Sequence, residues 1–185
     1  MKQLTLGVAV LAAFAGATEA RAFVTVLGGG QAEACSLAAI TGKTGPKFIE
    51  LCTRAIEDEQ LSPRDRASTY INRGVLKIRV KDWTAAGKDF DMAVQIKPDL
   101  GDAYVNRGAA SLGQHRYAES IVDLSKGIQL GSEEPAKAYY NRALAYEGVD
   151  DMKAAYYDYL KASELSPDWA APKNELVRFT VSPKE

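Results

Sequence analysis

The chain has 185 residues, with 23 Lys and Arg against 24 Asp and Glu and a net charge of −1. Apolar residues make up 46% and charged residues 25%, an ordinary globular balance that excludes disorder, collagen and a polytopic membrane protein. The absence of a basic surplus argues against nucleic acid as a partner, and one His with two Cys leaves little material for a metal site or a His-based catalytic device.

The first predicted element is not part of the fold. Lys2 is followed by an apolar stretch over 4–17, then by Thr18 and Glu19, then by the small-x-small pattern Ala20-Arg21-Ala22. This order predicts a cleaved signal peptide over 1–22, and so an exported protein, periplasmic or secreted, with no stable membrane anchor. A retained anchor is the alternative, but it needs roughly 20 apolar residues. Residues 23–46 read as a flexible leader that includes Gly28-Gly29-Gly30 and Cys35. Residues 47–66 read as an N-terminal helix and linker, with Phe48, Ile49, Cys52, Ala55 and Ile56 on one side. In an oxidising compartment Cys35 and Cys52 predict a disulfide, two buried free thiols being the alternative.

From there a period organises the chain. Tyr70-Ile71-Asn72-Arg73-Gly74 recurs 34 residues later as Tyr104-Val105-Asn106-Arg107-Gly108, and 35 residues after that as Tyr139-Tyr140-Asn141-Arg142-Ala143. Asp89-Phe90-Asp91-Met92-Ala93 keeps step with Asp123-Leu124-Ser125-Lys126-Gly127 and Asp158-Tyr159-Leu160-Lys161-Ala162. Each unit reads as two helices: 63–80 with 83–97, 101–114 with 117–130, and 136–147 with 152–165. Ser62-Pro63-Arg64-Asp65 supplies an N-cap and a Pro at the first helical position. Lys97-Pro98-Asp99 ends one helix, and Ser166-Pro167-Asp168 introduces a last one over 169–179.

A helix–turn–helix unit of 34 residues, with an aromatic at position 4, Gly at 8, Ala at 20, an aromatic at 24, Ala at 27 and Pro at 32, resembles the tetratricopeptide repeat. Tyr70, Gly74, Ala86, Phe90, Ala93 and Pro98 carry the first copy. Tyr104, Gly108, Leu124 and Gly127 carry the second, and Tyr139, Ala143, Tyr146, Ala155, Tyr159, Ala162 and Pro167 the third. The second copy departs with Ser120 at 20 and Ser132 at 32, and the first two have Lys77 and Ser111 where Tyr is expected at 11. The resemblance implies an all-α fold: a right-handed α-solenoid of three helix pairs at 67–100, 101–135 and 136–168. A lone helix before them and a capping helix and tail at 169–185 would close the two ends.

Two recurrent features go beyond the family pattern. Arg73, Arg107 and Arg142 stand at position 7, where Leu is usual, and Asp89, Asp123 and Asp158 stand at position 23. Their co-occurrence predicts an Arg–Asp ion pair inside each repeat, a guanidinium and a carboxylate being matched for two parallel hydrogen bonds. An arginine ladder for anionic ligands is the alternative. Asn72, Asn106 and Asn141 recur at position 6, which in the family faces the concave groove. There an amide can hydrogen-bond the backbone of a bound peptide through its donor and its acceptor, the alternative being a solvent-facing Asn common to the family pattern.

The resemblance places Ile71, Val75, Val105, Ala109, Tyr140 and Leu144 in the same groove, beside Ser68, Ile78, Asp102, Leu112, Lys137 and Glu147. An apolar groove suits a helix or an extended peptide, the alternative being that these residues meet neighbouring helices or the chain's own N-terminal segment. The basic carboxylate clamp of some relatives is mostly absent. His115 reads as a loop residue, Gly28-Gly29-Gly30 lacks the Lys-Ser/Thr of a phosphate loop, and no catalytic motif or cofactor site is found. The expectation is a non-catalytic protein–protein interaction module without cofactors. The alternative is a structural or self-associating subunit whose groove is filled by its own N-terminal segment.

Overall fold

The structure is a computed structural model that describes residues 30–179, together with the backbone of Gln3–Leu4 and of Val181–Ser182. The expected signal peptide, the leader up to residue 29 and the last few residues of the tail lie outside it, apart from those two short stretches. Gln3–Leu4 (β1) pairs antiparallel with Val181–Ser182 (β2).

The described residues form nine helices: α1 (Gln31–Ile40), α2 (Pro46–Asp58), α3 (Pro63–Arg79), α4 (Trp83–Ile96), α5 (Gly101–Gly113), α6 (Tyr117–Gln129), α7 (Pro135–Gly148), α8 (Met152–Leu165) and α9 (Ala170–Leu176). Each of α2 to α8 packs on its neighbours in sequence, and α1, α3, α5 and α7 also touch one another in series. That second set of contacts makes α1, α3, α5 and α7 the inner layer of an all-α solenoid, with α2, α4, α6 and α8 outside.

Local chemistry sets the helix ends. The side chains of Ser62, Asp82 and Asp151 accept from the backbone N–H groups of Asp65, Ala85 and Ala154 at 3.0–3.1 Å, capping α3, α4 and α8. Lys81, His115 and Asp150 occupy the same place in the turn of each repeat, with φ of 62°, 58° and 60°. This left-handed turn stops the inner helix and reverses the chain into the outer one. His115 therefore serves a turn, where its ring Nδ1 lies 2.8 Å from the Tyr117 hydroxyl.

Small residues then decide how closely helices meet. A Cβ on Gly74 would lie 2.4 Å from the Phe90 ring, and one on Gly108 2.7 Å from Leu124 Cγ. The large residue at position 24 thus fills the space that the small residue at 8 leaves. A second contact joins one repeat to the next. Trp83 packs on Gly113, where a Cβ would stand 2.6 Å from the indole, and Tyr117 packs on Gly148, where it would stand 2.4 Å from the ring. This knob recurs in the sequence at positions 17 and 13 but is not part of the pattern from which the repeats are read.

The N-terminal region departs from expectation. The 23–46 stretch is not a leader throughout, because Gln31–Ile40 is helical. The N-terminal helix is not alone either, since α1 and α2 form a fourth pair packed on α3. The buried positions of α1 are Ala32, Cys35, Ser36, Ala38 and Ala39. Their spacing is helical, but the side chains are so small that they give little hydrophobic contrast. The ends of α1 are completed from elsewhere. The Glu59 carboxylate accepts from the N–H groups of Gln31 and Ala32, and Arg79 donates to the carbonyls of Ala38, Ala39 and Lys43. The Cys35–Cys52 disulfide joins α1 to α2 across 5.0 Å between Cα atoms. At the other end the last helix is shorter than 169–179, covering Ala170–Leu176.

Candidate functional site: the inner helix face

The two recurrent constellations lie in different places. Arg73 Nε and Nη2 donate to the two carboxylate oxygens of Asp89 at 3.0 and 2.7 Å. Arg107 does the same to Asp123 at 2.8 and 2.7 Å, and Arg142 to Asp158 at 2.7 and 2.9 Å. All three pairs therefore have the two parallel bonds that fit a guanidinium to a carboxylate. Each guanidinium also lies 5.2–5.4 Å from the ring centroid of the Tyr three residues earlier: Tyr70, Tyr104 or Tyr139.

A third arm of each Arg reaches the preceding outer helix. Arg73 Nη1 donates to Thr53 Oγ1, Arg107 Nη1 to Asp91 Oδ1 and Arg142 Nη1 to Ser125 Oγ, all at 2.9–3.0 Å. One residue thus ties its own two helices to the repeat before it. The hydrogen bonds to Asp123 raise the Arg107 pKa against the burial that lowers it, and those to Asp158 do the same for Arg142. With these bonds directed to protein partners, the arginines form inter-helix clasps and not a ladder facing an anionic ligand. Lys77, standing where the family has Tyr, adds a second cation to Asp89 at 2.7 Å.

The nine residues expected to line the groove all belong to the inner helices and are brought together there. Ile71, Asn72 and Val75 lie on α3, Val105, Asn106 and Ala109 on α5, and Tyr140, Asn141 and Leu144 on α7. All nine are buried. Relative exposure is 0% for the three on α3 and rises to 6% and 7% for Tyr140 and Leu144 on α7.

The polar positions around them are engaged within the chain. Ser68 donates to the Arg64 carbonyl at 2.9 Å, and Asn106 Nδ2 donates to the Asp102 carbonyl at 2.9 Å on its own helix. Asp102, expected in the groove, instead accepts from the Glu133 N–H at 3.0 Å and so fixes the loop between α6 and α7. Burial pushes its carboxyl up to about 6, against that hydrogen bond and with Glu133 and Glu134 adding to the rise. Asn141 differs. Its Nδ2 is buried and has no hydrogen-bond partner among the described residues.

The α7 end of the face is aromatic. Tyr140 has its ring centroid 4.8 Å from Trp169 and 5.4 Å from Tyr159. Tyr159 donates to Glu147 at 2.6 Å, and Arg178 also reaches Glu147. Burial, helped by Glu175 and Glu147, lifts the Tyr140 hydroxyl to about 12, so it remains protonated at neutral pH. The second-layer residues Trp169, Glu175 and Arg178 were not recognisable as part of this end, because the capping helix has no counterpart in the repeats. Among the described residues no group of three or more His, Cys, Asp or Glu side chains could hold a metal ion, and no helix is long and apolar enough to cross a membrane.

No family model matches the sequence. Protein unc-45 homolog B of mouse is 30% identical over 122 residues, which are 64% of this chain and 13% of that protein. Heat shock protein STI1 of Saccharomyces cerevisiae is 30% identical over 131 residues, 71% of this chain and 20% of that one. The chain therefore spans a fifth or less of these curated relatives. Among solved structures, the Arabidopsis OM64 TPR domain superposes with a TM-score of 0.60 at 23% identity, covering 63% of this chain and 96% of that domain. The recurrent residues, the serially packed inner helices and these likenesses converge: the chain is a tetratricopeptide-repeat protein.

Proposed function

We propose that the protein is a non-catalytic protein–protein interaction module that takes an extended peptide or a helix along the inner face of α3, α5 and α7. The carrying observation is the Asn141 amide. A buried donor without an acceptor costs about 1–3 kcal/mol, and a backbone carbonyl of a bound peptide would offset that cost. The flanking Tyr140 and Leu144 supply apolar contact on either side of it along the helix. The relatives support a protein partner in general: one carries the name heat shock protein, and the shared repeats are an interaction fold.

The site of action in this reading is the periplasm or the extracellular space. It is supported by the leader pattern ahead of residue 23 and by a disulfide in a chain with no other cysteine. Selection of binders from a displayed random-peptide library tests the recognition face. Peptides selected on the native protein should lose about tenfold in affinity for Asn141→Ala, the loss of one buried hydrogen bond. If every selected peptide binds the variant as tightly as the native protein, the inner face is not the recognition surface.

A further inference from the structure

We propose that the outward face of α1 is a self-association surface, on which a second copy of this chain seats its own α1 antiparallel about a twofold axis. None of the nine groove residues lies on α1, so the proposal stands apart from the recognition reading above.

The first observation is which side of α1 the fold leaves open. α1 packs on α2 and α3, and the bond from Cys35 to α2 marks the packed side. Leu37 stands two residues on, about 200° round the helix, and so on the opposite side. It is 59% exposed, and Ile40 on the same side is 43% exposed. Ala34, one turn before Leu37, is exposed as well. Thr41, one turn after it, donates its hydroxyl to the Leu37 carbonyl at 2.7 Å and so has its donor satisfied within the helix. Ala34, Leu37, Ile40 and Thr41 form one stripe along a helix about 15 Å long, with Leu37 near its midpoint. A stripe arranged about its own midpoint matches itself when turned end for end, which is the condition for an isologous contact. Ala34 of one protomer then meets Ile40 of its partner, small against large.

Charge selects the second copy and its direction. Glu33 lies in the first turn of α1. Lys43 stands just past the last turn, where its N–H donates to the Ala38 carbonyl at 3.0 Å. Both residues are exposed. A parallel pairing of two α1 helices would set Glu33 against Glu33 and Lys43 against Lys43. The antiparallel pairing brings Glu33 of each protomer to Lys43 of the other, so both ends of the stripe are complementary. The helix is also held ready for this contact, since the disulfide, Glu59 and Arg79 fix it from the packed side and leave little ordering to be done on association. A contact made by one helix of ten residues falls short of the about 1,200 Å² that stable interfaces bury, so the dimer is a weak one that forms and parts readily. Such a dimer carries two recognition faces in one particle.

The test uses the whole protein with its disulfide intact. Sedimentation equilibrium over a dilution series up to about 1 mM should show the average mass rising toward twice that of one chain. Leu37→Asp should keep the mass of one chain throughout, with an unchanged circular dichroism spectrum. Glu33→Lys alone and Lys43→Glu alone should each associate about tenfold more weakly than the native protein, because like charges then meet at both ends. Their equimolar mixture should recover the dimer, since each variant carries the charge that the other needs at both contacts. A variant that had merely loosened α1 would not be rescued by mixing. A mass that stays at one chain up to about 1 mM overturns the proposal and leaves the face to another occupant. So does a dimer that survives Leu37→Asp, which would be held by another surface, and so does a mixture that associates no better than its components.

Discussion

The N-terminal pair and the three repeats have the same helix–turn–helix shape but are held by different means. In the repeats, the same clasp is made three times: Arg at position 7 bonds the Asp of its own outer helix and a polar oxygen of the helix before. In the N-terminal pair, α1 is ten residues of mostly small side chains. Such a helix buries little apolar surface and falls below the length at which isolated helices are stable in water. It is held by a covalent bond to α2, by the Glu59 carboxylate at one end and by Arg79 at the other. Stacking lets a weak element persist when its neighbours supply what its own sequence lacks.

The comparison is broken most strongly at the disulfide. Closing 17 residues corresponds to about 3 kcal/mol in the chain-entropy account, so Cys35→Ser with Cys52→Ser should lower stability by about that much. Hydrogen exchange should show the loss in α1 and α2, with α5 to α8 keeping their protection. Uniform loss across all helices would mean that the N-terminal pair is no separate region. On the repeat side, Arg142→Leu leaves Asp158 buried without its guanidinium. Because the pair is only partly desolvated, the expected cost is about 2–3 kcal/mol. Calorimetry should then show the melting temperature falling by roughly 5–10 °C, and Arg142→Leu with Asp158→Leu should recover most of it. An unchanged melting temperature in the single variant would remove the clasp from the account.

A change of pH should act on the repeats through Asp102. Asp102 titrates at about 6 in the fold against an ordinary 3.8. A carboxyl whose pKa is raised by folding contributes stability below its unfolded pKa, and that contribution disappears as pH rises through the folded value. Between pH 4 and pH 6.5 this group therefore withdraws about 2 kcal/mol. Asp102→Asn should gain on the native protein by that amount as pH rises over the same window, measured by urea unfolding. A constant difference between the two proteins would show that Asp102 does not titrate there. The smallest effect is expected at Glu59→Gln, which weakens the charge at the start of α1. A loss of about 1 kcal/mol, read as faster exchange in the first turn of α1, is the expected result. No change there would mean that the Glu59 carboxylate does not hold that end of the helix.

Much of this was legible in the sequence for one reason: it recurs. Tyr, Asn, Arg, the small residue and the Asp keep register across the units, so the two-helix unit and the pairing of Arg73, Arg107 and Arg142 with Asp89, Asp123 and Asp158 follow from recurrence, and the resemblance to a known repeat supplies the class. What does not recur stayed hidden. The third Arg arm ends on Thr in one repeat, Asp in the next and Ser in the third, three different letters doing one job. Helix α1 reads as a leader in the sequence because the groups that complete its ends, Glu59 and Arg79, lie 27 and 40 residues away.

The sequence by itself determined the repeating unit and its two-helix form, since those recur in register every 34 or 35 residues, and the resemblance to a known repeat supplied the residues expected to face inward. Only the tertiary structure decided that α1 is a helix, that Asp102 fixes a loop, and that the inner row is buried. These depend on which distant groups meet in space, and desolvation is set by everything packed around a residue, whatever its place in the repeat.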